Sequence, residues 1–178
     1  RPPRSTLSSS SAAPDVYKRQ DVDTPMPEPR SGYALVALEG QLYVFGGWDG
    51  DNVQNSIYSF DPLDKIWVEM NPMPDPLAFM SAVALSNKIY LIGGWDGKQA
   101  LSKFNQYNPA RDKSGDQLWS SFPVLPNVMC RHSVAQISGF IFLIGGPLRH
   151  CDNSPSERLD NLSFTSFNLM YTTQASQW

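Results

Sequence analysis

The sequence runs to 178 residues and is 41% apolar but only 17% charged, with 15 prolines and 12 glycines, a balance that excludes a long coiled coil. No run of the roughly eighteen apolar residues that a membrane helix needs occurs anywhere, and no span is expected. The formal charge of −3 gives no basic footprint for nucleic acid, and two cysteines are too few for a disulfide scaffold.

The chain opens with a serine run and three prolines in residues 1–20, a composition that cannot bury a core and reads as a disordered tail. Asp15-Val16-Tyr17-Lys18-Arg19-Gln20 also resembles the translated transposon end of short-read sequencing adaptors, so residues 1–20 are expected to be an artefactual tail. Without them the chain has ten basic and sixteen acidic residues, a charge of −6. Residues 21–29 carry Pro25-Met26-Pro27-Glu28-Pro29, which recurs as Pro72-Met73-Pro74-Asp75-Pro76. In both cases the element starts 21 residues before a glycine pair.

Repetition then governs everything downstream. LEGQLYVFGGWDG (38–50) returns as LSNKIYLIGGWDG (85–97) and as ISGFIFLIGG (137–146), with periods of 47 and 52 residues. Phe60-Asp61-Pro62, Tyr107-Asn108-Pro109 and Phe167-Asn168-Leu169 follow the glycine pairs, and Trp67, Trp119 and Trp178 follow those. Strands are predicted over 33–38, 41–46, 56–61 and 66–71, short aromatic and β-branched runs between turn formers. Glu39-Gly40, Ser86-Asn87 and Ser138-Gly139 are placed as two-residue hairpin turns. That register sets Tyr33 against Gly46, Met80 against Gly93 and His132 against Gly145, a bulky residue facing a glycine each time.

These motifs resemble the Kelch repeat, over essentially all of residues 21–178. The resemblance implies an all-β fold, a partial Kelch-type β-propeller of about three four-stranded antiparallel blades. The blades are expected at 30–73, 77–125 and 131–178, with 21–29 the link from a missing preceding blade. Three blades cannot close a ring, so the sequence is expected to be a fragment with unpaired terminal faces.

In a four-stranded meander the second turns and the links share one face, and the first and third turns share the other. The second turns, 48–55, 95–102 and 147–163, are where binding residues are expected. Trp48, Asp49, Trp95 and Asp96 suit stacking on a sugar or gripping a peptide side chain, although an Asp-Gly turn with an interblade tryptophan is the preferred reading. The third blade breaks the pattern with Arg149 and His150 in a longer polar loop, a candidate specificity element. Cys130, His132, His150 and Cys151 have ligand chemistry suited to zinc, and Cys130–Cys151 suits a disulfide in an exported protein. The spacing fits no zinc module, and His132 occupies the slot of Tyr33 and Met80, so no metal is expected. Arg30 and Arg131, near blade starts, are read as interblade contacts.

No nucleophile elbow, phosphate loop or His-Glu-x-x-His motif occurs, so no catalytic residues and no cofactor are expected. The expected function is a non-catalytic scaffold for a protein partner, with no nucleic acid and no membrane span. The alternative is a carbohydrate-binding or carbohydrate-active propeller, sialic-acid epimerase-like or galactose-oxidase-like, although the copper ligands of the latter find no match here.

Overall fold

The computed structural model describes residues 24–112, 114, 117–146 and the backbone of 168–172. Eleven strands run in chain order: β1 (Ala34–Leu38), β2 (Gln41–Trp48), β3 (Val53–Asp61), β4 (Ile66–Met70), β5 (Ser81–Leu85), β6 (Lys88–Ile92), β7 (Phe104–Tyr107), β8 (Trp119–Ser121), β9 (Ser133–Ile137), β10 (Phe140–Ile144) and β11 (Asn168–Thr172). They form antiparallel meanders β1-β2-β3-β4, β5-β6-β7-β8 and β9-β10-β11. The sole helical element among the described residues is one 3₁₀ turn, Pro109–Arg111. Two four-stranded sheets and a third with three described strands make a partial propeller, as the repeat implies.

The hairpins follow from turn chemistry. Glu39-Gly40, Ser86-Asn87 and Ser138-Gly139 all have positive φ, the condition for a type I′ turn whose twist suits flanking strands. They fix the registers Leu38↔Gln41, Leu85↔Lys88 and Ile137↔Phe140. The boundaries on either side of the second turn differ most from expectation. β2 and β3 extend to Trp48 and Val53, past an irregularity between Phe45 and Gly47, so the second turn shrinks to 49–52.

Alternation puts successive β2-type residues on opposite sheet faces. Tyr43, Phe45 and Ile57 of the first sheet meet Ile89, Leu91 and Tyr107 of the second in one core. Tyr90, Ile92 and Phe104 turn the other way and meet Ile141 and Leu143 of the third. The sheets therefore stack face to face, with β1, β5 and β9 as neighbouring inner strands. Phe45, Ile92 and Ile144 are equivalent by register; the first two are 0% exposed and Ile144 is 52% exposed.

The glycine pairs lock each sheet to the next, with a division of labour absent from the sequence expectation. A Cβ on Gly46 would overlap the Leu77 carbonyl oxygen, and one on Gly93 would overlap the Met129 carbonyl oxygen. The first glycine thus admits the backbone of the next link, and the neighbouring amides of Gly47 and Gly94 donate to those carbonyls at 2.9 and 2.8 Å. The bulky residue instead lies against the second glycine: the Cβ atoms of Tyr33, Met80 and His132 crowd Gly47, Gly94 and Gly146. The unexpected occupant of the first gap belongs to a link, which strand pairing alone does not place.

Candidate functional site

Three left-handed residues step around the inner end of the sheets. Gly32, Phe79 and Arg131 are equivalent, with φ of 61°, 55° and 52°. The Phe79 amide donates to the Gly32 carbonyl at 2.6 Å, and the Arg131 amide donates to the Phe79 carbonyl at 2.8 Å. Side chains follow the same staircase. The Phe79 ring fills the space over Gly32, and the Arg131 guanidinium lies 4.4 Å from the Phe79 ring centroid.

Trp95 sits 6.1 Å from Phe79 and 6.0 Å from Trp48, ring centre to ring centre. The result is an arc, Trp48–Trp95–Phe79–Arg131, on the face formed by second turns and links. Trp95 is 9% exposed and packs with Ala78, Ala100 and Cys130, with its buried indole Nε1–H unpartnered. Trp48 remains half-buried. Between the two indoles opens a cleft of about 260 Å3, whose rim includes Asp51, Asn52, Pro76 and Lys98.

The two carboxylates expected beside the tryptophans are turned to structural work. Asp49 Oδ1 accepts the amides of Asp51 and Asn52 at 2.8 and 2.7 Å, and its Oδ2 accepts from Gln54 Nε2 at 2.5 Å. Asp96 Oδ1 accepts the amides of Lys98 and Gln99, both at 2.8 Å. The amides of Asn52 and Asp51 hold the Asp49 carboxyl below its ordinary range. Asp96 is also lowered: desolvation pushes it up, but the amides of Gln99, Lys98 and Asp96 and the Lys98 charge together prevail. Both acids fasten tight Asx turns.

Arg30 and Arg131, paired by their nearness to blade starts, are not equivalent. Register aligns Arg30 with Leu77 and Met129. The buried Arg30 guanidinium donates to Gly46 O at 3.1 Å and Ser56 Oγ at 2.9 Å, and pairs with Glu28 at 2.6 Å. In the second sheet Asp75 replaces Glu28 and pairs with Lys103, which stands at the place of Ser56. The acid of the link thus keeps a basic partner while the base moves from the link to the residue before β7.

His132 is 6% exposed, its ring reaching the space beside Gly93, with neither nitrogen partnered. Desolvation lowers its pKa to about 4. Cys130 is disulfide-bonded, so its sulfur is no thiolate ligand. Arg149, His150 and Cys151 lie outside the described residues, as does the whole of the 147–163 loop. Among the described residues no group of three His, Cys, Asp or Glu side chains is placed to hold a metal.

Phe79 and Lys98 were not singled out from sequence. Phe79 carried one signal: it stands at the place of Gly32 in an otherwise aligned repeat.

A profile of the KLHDC2/KLHL20/DRC7 Kelch-repeats domain matches residues 10–176. Kelch-like protein 36 of Bos taurus is 27% identical over 146 residues, which cover 79% of this chain and 23% of that protein.

Proposed function

The chain belongs to the Kelch-repeat family, and from that premise we propose that it is a non-catalytic scaffold that grips a protein partner through the face bearing Trp48, Trp95 and Arg131. The observation that carries this is the open cleft between Trp48 and Trp95. Its walls are aromatic, its base is held rigid by Trp95, and its rim carries Asp51, Asn52 and Lys98. An apolar floor with a mixed-charge rim is the layout in which one inserted side chain supplies most of an interface's energy. Arg131, exposed at the far end of the arc over Phe79, adds a cation to the same face.

Trp48 is the residue to test, because it is half-buried and packs at the margin of the cluster around Trp95. In a pull-down with the chain, Trp48→Ala is expected to weaken partner retention about tenfold or more, the cost of losing a hot-spot aromatic. Retention unchanged in Trp48→Ala and in Lys98→Glu would sink the proposal.

Carbohydrate recognition is the second reading, favoured by the half-buried Trp48 beside Asp51 and Asn52. Both oxygens of Asp49 are engaged within their own loop, which leaves Asp51 and Asn52 to meet hydroxyls. Glycan-array binding abolished by Trp48→Ala, without any captured protein, would favour it.

A further inference from the structure

The opposite face has a cleft of its own. It lies between the first turn of the first sheet and the third turn of the second, with a volume of about 310 Å3. Glu39, Gln41, Tyr43 and Ser59 supply its polar lining, and Val68, Met70, Pro109 and Ala110 its apolar walls. No basic side chain lines it. The other two clefts described differ in this respect, since Lys98 lines the Trp48–Trp95 cleft and Lys103 pairs with Asp75 in the one beside Trp119.

The polar groups here are biased toward accepting hydrogen bonds. The Tyr43 hydroxyl is already committed, donating to Gln41 Oε1 at 3.1 Å. Asp112 stands close by, tied to the Asn71 amide at 3.2 Å and to the Tyr107 hydroxyl at 2.8 Å. Both acids are felt at Tyr43, whose pKa is raised first by burial and then by Glu39 and Asp112. Val68 is half exposed, so part of the wall stays open to solvent.

The next seam is an internal control. Register replaces Glu39 by Ser86, Gln41 by Lys88 and Val68 by Ser120, and Gln106 Nε2 donates to the Tyr90 hydroxyl at 2.7 Å. The equivalent position there carries a cation and no carboxylate. On the second-sheet side of that seam the acid is replaced by serine and the apolar Val68 wall by serine as well.

We propose that this cleft receives a basic side chain, lysine or arginine, from a partner protein, with its head at Glu39 and Gln41 and its aliphatic stem along Val68, Met70 and Pro109. A long cationic side chain has this composition, an apolar stem ending in donors without acceptors. The negative charge of the chain outside residues 1–20 favours the same class of occupant. This surface is independent of the Trp48–Trp95 face.

The experiment uses the isotope-labelled full chain, titrated with the blocked tripeptide Ala-Lys-Ala and with its norleucine counterpart, read by amide chemical shifts. The lysine peptide should move the signals of Glu39, Tyr43 and Val68, and the norleucine peptide should bind more weakly. Glu39→Gln, an exposed position, should weaken the lysine peptide up to roughly fivefold, the range of one partly exposed ion pair. Val68→Lys, which sets an ammonium across the opening, should block it. Equal binding of both peptides, or shifts unchanged in Glu39→Gln, would overturn the proposal. Binding of spermidine in preference to the lysine peptide would assign the cleft to a free polyamine and also overturn it.

Discussion

His132 shows how a single position carries a cost that the sequence conceals. Its ring is buried with both nitrogens unpartnered, and desolvation alone lowers its pKa from 6.5 to about 4. Above the unfolded value both states are neutral and the histidine adds nothing to the pH dependence. Between the two values the unfolded chain takes a proton that the folded chain refuses, so stability falls as pH drops. The loss at about pH 5 should be on the order of 2 kcal/mol relative to about pH 7. Urea unfolding at the two pH values measures it, and His132→Met, the residue type of Met80, should remove most of the difference. Sequence comparison already placed His132 in a core slot. What it did not reveal is the absence of a partner, because that depends on a neighbouring sheet. Asp49 and Asp96 divide similarly: Asp-Gly announces a turn, but whether the carboxylate is spent on that turn is a question of local geometry.

At the scale of the element, the coupling of a link to a glycine pair decides how sheets join. A methyl group at Gly46 or Gly93 meets a backbone carbonyl that cannot swing aside, at a φ of 52° or 63°. Gly40, with φ of 79°, has nothing within 4 Å among the described residues. Gly40→Ala should therefore show only the left-handed cost of about 1 kcal/mol. Gly46→Ala and Gly93→Ala should lose on the order of 3 kcal/mol or more, since the seam itself must open. Thermal melts of the three variants separate the two costs. Similar losses in all three would show that the carbonyl contact does not matter. The hairpins were legible because two-residue turns with Gly or Asn have few solutions. The extension of β2 to Trp48 was not, since the Gly-Gly pair reads as a break and only cross-strand pairing with Val53 overrides it. The cleft lined by Glu39 and Pro109 was equally hidden, as its walls lie about seventy residues apart in sequence on different sheets.

For the whole molecule, each sheet has its nearest neighbours as its main support, so stability is expected to vary along the chain. The second sheet is sealed on both faces, by the cores shared with the first and the third. The third presents Ile137, Phe140 and Ile144 to solvent. Amide hydrogen exchange should therefore be slowest in β5 and β6 and clearly faster in β9 and β10. Uniform protection across the three sheets would contradict a nearest-neighbour molecule. The repeat period made the stacking legible from sequence, because equivalent residues at equal spacing imply equivalent surroundings. It did not show how unequal those surroundings are at Phe45, Ile92 and Ile144.

The staircase of Gly32, Phe79 and Arg131 bears on how such a molecule can respond to what it binds. Amide-to-carbonyl bonds fasten successive steps at 2.6 and 2.8 Å, making a stiff collar around the inner strands. Spreading or closing the sheets like a fan would break those bonds before any outer contact moved. If the proposed partner seats here, adaptation to it should come from rotamers and the tips of the second turns rather than from movement of the sheets.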